Sequence, residues 1–121
     1  MIKIALSVGA GRMGSMLIKT IAEADDLNLV AATDWRESPY IGHDAGEVAG
    51  LAANGVLISS DPKALFVDSD VLIDFSSPAG SLEHARLAAK YGTALVIGTT
   101  GLTVDDEVVL READKIGRAH V

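Results

Sequence analysis

The chain has no cysteine, one tryptophan, two tyrosines, two phenylalanines and three prolines. Without cysteine there is neither a disulfide framework nor thiol chemistry, which fits a reducing cytoplasm as its location. Positive charge is also scarce. Ten Lys and Arg face 17 Asp and Glu, for a net charge of -7. That balance excludes nucleic acid or an anionic membrane as a general partner. Long hydrophobic runs are missing as well. The first apolar run follows a single lysine and meets glycine by Gly9, too short and wrongly flanked for a signal peptide or a membrane span. His43, His84 and His120 are scattered without metal-ligand spacing, so no metal is expected. No nucleophile elbow, P-loop or acid pair stands out. What is present is a chain of 121 residues, 49% of them apolar, enough for one domain with its own core. It has no internal repeat or linker.

Apolar runs alternate with helical patterns. Ile2 to Val8, Leu27 to Thr33, Val56 to Ser59, Val71 to Phe75 and Ala94 to Ile97 read as strands. Met13, Leu17, Ile18 and Ile21 recur at helical spacing, predicting a helix from Met13 to about Ala24. Trp35 to Asn54 reads as a long loop with one helical turn near Glu47. Ser60-Asp61-Pro62 and Ser77-Pro78 look like helix starts, with proline at the first helical position. The second of these helices runs to about Tyr91 and is ended by Gly92. Thr103 caps a last helix from Val104 to about Lys115. Strands separated by helices predict an α/β fold: a Rossmann-type parallel sheet with helices on both faces. Right-handed crossovers put all strand C-termini on one edge, where ligands of open α/β sheets bind. Gly9, Asp34, Ser76 and Gly98 fall on that edge.

Directly after the first strand, Gly9 to Gly14 reads Gly-Ala-Gly-Arg-Met-Gly. Between a strand and a helix, Gly-x-Gly-x-x-Gly is a dinucleotide-binding pattern. Gly9 allows the sharp turn, Gly11 the approach of a pyrophosphate, and Gly14 close helix packing. The N–H groups of the helix start then face the phosphates. Arg12 is a cation near a helix N-terminus, which is unfavourable unless an anion offsets it, so it is a candidate phosphate contact. Met13 lies against the cofactor or in the core.

Asp34 ends the second strand, the expected place for an acid that hydrogen-bonds the adenosine ribose. Arg36 either pairs with a 2′-phosphate, admitting NADPH, or is an ordinary loop arginine. Trp35 either stacks on adenine or covers the sheet edge. Phe75 and Ser76 are candidate cofactor contacts, Ser77 a helix cap, and Asp74 structural. His84 falls mid-helix and reads as packed or surface rather than catalytic. Gly98, Thr99 and Thr100 offer small residues and hydroxyls where a ring approaches the backbone.

Four segments together resemble the N-terminal part of the 4-hydroxy-tetrahydrodipicolinate (dihydrodipicolinate) reductase family: Gly11-Arg12-Met13-Gly14, Gly42 to Glu47, Asp74 to Pro78, and Ile97-Gly98-Thr99-Thr100-Gly101. The resemblance runs from residue 2 to about 115. It implies an NADPH- or NADH-dependent reductase of lysine and diaminopimelate biosynthesis, reducing a cyclic imine-type substrate. It also implies a homotetramer for the intact enzyme. By it, Val8, Gly9, Ala10, Gly11, Arg12 and Met13 carry the pyrophosphate, Asp34 the ribose, and Gly98 to Thr100 the nicotinamide side. Two positions depart from the family pattern. Val8 stands where the family usually has glycine, so either Gly9 takes over the turn or the loop is strained. Trp35 stands where an arginine often follows the ribose acid, which leaves NADPH versus NADH open.

The family's substrate domain and catalytic residues have no counterpart here, so no catalytic residue is assigned and the chain alone is expected to be inactive. Residues 1–115 are read as the cofactor domain. Residues 116–121 resemble translated sequencing-adapter DNA and are read as a non-native tail, with a divergent natural tail as the alternative. Two other functions stay open: another NAD(P)-dependent oxidoreductase, and a non-catalytic nucleotide-binding or redox-sensing module.

Overall fold

The structure, a computed structural model, describes residues 1–8, 11–98 and 118–120. Five strands form one parallel sheet: β1 (Ile2–Ser7), β2 (Leu27–Thr33), β3 (Val71–Asp74), β4 (Ala94–Ile97) and β5 (Arg118–His120), in the order β2-β1-β3-β4-β5. The helices are α1 (Gly11–Glu23), α2 (Ala45–Val48) and α3 (Pro78–Tyr91), with a 3-10 turn at Pro62–Leu65.

The strand pleat decides which residues build which core. Ala5 pairs with Leu72, and Leu72 with Leu95, so these three form a row on one face. Against that row pack Ala85 and Ala88 of α3, with Leu65 and Phe66 from the 3-10 turn. The alternate residues Ile4 and Leu6 face the other way. They meet Ile18 and Ile21 of α1, Leu29 and Ala32 of β2, and Ile58. Two cores on opposite faces explain why the strands are apolar throughout. Gly14 is buried on the inner side of α1, as close helix–strand packing requires.

The capping residues act as the sequence predicts. Ser77 accepts from the Gly80 amide, Pro78 opens α3, and Gly92 closes it at φ 71°, where glycine pays no Cβ penalty. In the long loop, the Asp44 carboxylate caps α2. It accepts from the amides of Glu47, Asn54 and Gly55 at 3.1, 3.1 and 2.8 Å, tying two ends of the loop together.

Two expectations need correction. Val56 to Ser59 is not a strand but two isolated bridges, Asp44 with Leu57 antiparallel and Thr33 with Ser59 parallel. Ser59 hydrogen-bonds Ala32 and Asp34, whereas Ile58 bonds His43 and Gly42, so adjacent residues serve different partners and no ladder propagates. The helix expected after Pro62 is only the 3-10 turn, capped by Asp61. Arg118–His120 pairs with β4 as the fifth strand although its sequence is not an apolar run, because ladder hydrogen bonds use backbone groups alone. The helix expected over 104–115 lies outside the described residues.

Candidate functional site

The chain leaves β1 to one side, forming β2 at the sheet edge, and later returns to the other side of β1 as β3. At that reversal the two connections diverge and open a crevice beyond the strand C-termini. A cleft of about 450 Å³ occupies it. Ser7 and Val8 at the end of β1, Thr33 and Asp34 at the end of β2, and Phe75 and Ser76 just after β3 supply its floor. Trp35, Ser60 and Pro62 line it beside Asp34, and Gly80, Glu83 and His84 belong to the α3 wall.

Val8 is strained. It is the only non-glycine residue with positive φ among the described residues, at 68°. A β-branched side chain there places Cβ against the following carbonyl. The turn therefore holds valine in a glycine conformation. Three residues on, Gly11 has φ 84°, and a Cβ there would meet nothing within 4 Å. Gly11 is thus required for its backbone conformation, and the space above it is open.

Asp34 is half-buried and held from two sides. Its amide donates to the Ser59 carbonyl at 2.9 Å, and its Oδ1 accepts from the Trp35 amide at 2.8 Å. Oδ2 has no partner among the described residues, so one acceptor of this carboxylate remains available at the cleft.

The end of β3 is organised by Asp74, which is fully buried. Its Oδ1 accepts from the Ser76 amide at 2.8 Å, and its Oδ2 lies 3.0 Å from Nδ1 of the buried His84. Burial pushes the Asp74 carboxyl up, but the hydrogen bonds from His84 and Ser76 outweigh it and hold the group below the usual carboxylate range. His84 also packs on Phe66, with ring centroids 6.3 Å apart. It is the packed histidine that its place in the helix predicts.

Two neighbours of this pair shape the cleft wall. The buried Ser76 hydroxyl lies near the Asp74 carboxylate but makes no hydrogen bond of acceptable geometry. An orphaned hydroxyl in a cleft wall costs stability unless something bound there satisfies it. Gly98 lies against the Phe75 ring, and a Cβ at Gly98 would sit 2.6 Å from Cζ of Phe75. Only glycine permits this approach of the fourth strand's loop to the β3 end.

Of the residues expected to hold a cofactor, Val8, Asp34, Phe75 and Ser76 line this one cleft, with Gly98 in contact with Phe75. Arg12, Met13 and Arg36 are exposed and do not line it. Arg12 and Gly11 border a separate hollow with Lys19 and Tyr40. Gly9, Ala10, Thr99 and Thr100 lie outside the described residues. Gly80, Glu83 and His84 were not singled out as cleft residues, although their spacing after Ser76 and Ser77 puts them along one helix face.

Residues 2–120 match the family described as "Dihydrodipicolinate reductase, N-terminus". The chain belongs to this family. A 4-hydroxy-tetrahydrodipicolinate reductase of Sinorhizobium fredii is 46% identical over 116 residues, covering 96% of this chain and 43% of that protein. The Nitrosomonas europaea protein of the same name is 44% identical over 112 residues, 93% of this chain and 41% of that one. A solved dihydrodipicolinate reductase from a Paenisporosarcina species, with dipicolinate bound, superposes with a TM-score of 0.72 at 25% identity. It is covered to 43% of its length, against 96% of this chain. The chain thus spans less than half the length of these relatives. Among the described residues, no helix is long and apolar enough to cross a membrane.

Proposed function

We propose that this chain is the dinucleotide-binding part of a 4-hydroxy-tetrahydrodipicolinate reductase, acting in lysine and diaminopimelate biosynthesis with NADH or NADPH as reductant. The observation that carries the reading is the cleft at the β1 reversal. There a family-matching chain gathers a free ribose acceptor on Asp34, Val8 held in a glycine conformation, and an unsatisfied Ser76 hydroxyl.

The dinucleotide supplies a hydride when bound; the protein binds and orients it. Asp34 takes the adenosine ribose through its unpaired Oδ2. The Val8–Gly11 turn and the α1 N-terminus receive the pyrophosphate, with Gly9, Ala10, Arg12 and Met13 completing that contact. Phe75, Ser76 and the Gly98–Thr100 loop hold the nicotinamide end, and Asp74 fixes Ser76 through its amide. Arg36 is the cation closest in sequence to the ribose acid.

The substrate domain and its proton donor belong to the part of the relatives that this chain does not span. The 121-residue chain alone is therefore expected to bind dinucleotide weakly and to catalyse nothing. Incubating the purified chain with NADPH, NADH and 4-hydroxy-tetrahydrodipicolinate checks this. Loss of nicotinamide absorbance that depends on substrate would refute the inactivity. Absence of binding for either dinucleotide in a titration would refute the cofactor reading.

A further inference from the structure

We infer that this cleft selects NADH over NADPH, with Asp34 and Trp35 as the discriminating residues. The inference rests on the cofactor reading above and concerns one group, the substituent at the adenosine 2′ position. A ribose hydroxyl donates a proton to a carboxylate. A 2′-phosphate near neutral pH carries about -1.5 to -2 charges, and that negative charge is repelled by one.

The cleft is built for the first case. Asp34 cannot swing aside without cost, because its backbone is bonded to Ser59 and its Oδ1 to the Trp35 amide. That leaves Oδ2 as an acceptor with no cation beside it among the described residues. The charged residues lining the cleft there are two carboxylates, Asp34 and Glu83, with no lysine or arginine among the described lining. Arg86, on α3, is engaged with Glu83. Arg36 is exposed and lies outside the lining.

The position directly after the acid holds an indole instead of a cation. Trp35 is 63% exposed yet lines the cleft, so it offers an apolar surface to a base and no positive charge to a 2′-phosphate. A carboxylate with no cation beside it discriminates against an added anion, because the two like charges repel. The preference is electrostatic, so it narrows as salt rises.

The test is a calorimetric titration of the 121-residue chain with NADH and NADPH at low and high salt, repeated for Asp34→Ser and Trp35→Arg. For millimolar affinities, chemical-shift titration replaces calorimetry. The expected result is NADH binding roughly tenfold or more tighter than NADPH at low salt, with the gap shrinking at high salt. Asp34→Ser should weaken NADH and close most of the gap. Trp35→Arg should shift the NADPH-to-NADH affinity ratio by roughly tenfold toward NADPH. Both positions are on the surface of the cleft, and circular dichroism of each variant confirms that it is folded. Equal binding, or tighter NADPH binding, in the parent chain overturns the preference while the cofactor reading stands. An Asp34→Ser variant that keeps the full gap overturns the assignment to Asp34. Binding of neither dinucleotide overturns both readings.

Discussion

Nδ1 of His84 lies 3.0 Å from Oδ2 of Asp74, and both side chains are buried behind the cleft wall. One residue ends β3 and the other stands in α3, so the bond ties the strand to the helix that follows it. His84→Ala leaves a buried carboxylate short of a donor. It should cost about 3 kcal/mol or more in unfolding free energy, read from denaturant melts. An unchanged midpoint would mean the pair adds nothing.

The same bond sets an acid dependence. Asp74 is held below the ordinary carboxylate range by His84 and Ser76 against the opposing effect of burial. A depressed folded-state value contributes stability that is present above the unfolded value, about pH 4, and is lost as pH falls through the folded one. The parent chain should therefore weaken in strong acid, and His84→Ala should begin to unfold at a higher pH. Circular dichroism across pH 2–6 checks the order of the two transitions, on the scale of ordinary carboxylate titration at about pH 4.

Val8→Gly should stabilise the protein. Removing a side chain from the left-handed region recovers about 1–2 kcal/mol, and the added freedom of glycine in the unfolded chain takes back roughly 0.5–1 kcal/mol. A rise of roughly 2–5 °C in melting temperature is expected. A fall would show that contacts of the valine side chain outweigh its backbone strain.

Ser76→Ala separates binding from folding. Its hydroxyl is buried without a hydrogen bond, so its removal should leave the melting temperature unchanged or slightly higher. If the hydroxyl serves the ligand, dinucleotide affinity should fall in the same variant. Loss of stability instead would mark the hydroxyl as structural.

Gly98→Ala places a methyl group on the Phe75 ring. Either the ring moves or the β4 loop does, at a cost of about 1–3 kcal/mol. Thermal melts measure that cost, and dinucleotide titration of the same variant shows whether the Phe75 side of the cleft takes part in binding. A variant with parent-like stability and binding would mean the contact is easily relieved.

Local chemistry made most of the architecture legible. Proline at Pro78 and glycine at Gly92 bracket α3 in the sequence as in the fold, and the aliphatic runs mark β1 to β4. Val56 to Ser59 misled because its short apolar run resembles a strand, whereas its pairing depends on two neighbours that sequence spacing does not reveal. At the site, Asp34 and Ser76 were readable because strand ends and glycine turns announce themselves. The Asp74–His84 bond was not, since it joins different elements. A signal for it existed. His84 shares a helix face with Ser81, Ala85 and Ala88, all buried, and a histidine on such a face requires a polar partner.

Trp35 is the single tryptophan of the chain, and it stands in the cleft wall rather than in a core. The protein therefore carries its own optical probe. Indole emission originates from one place, beside Asp34 in the cleft, and is largely indifferent to repacking elsewhere. Quenching on addition of nucleotide reads occupancy of that part of the cleft without a label, and the emission maximum of the free chain reports how wet it is.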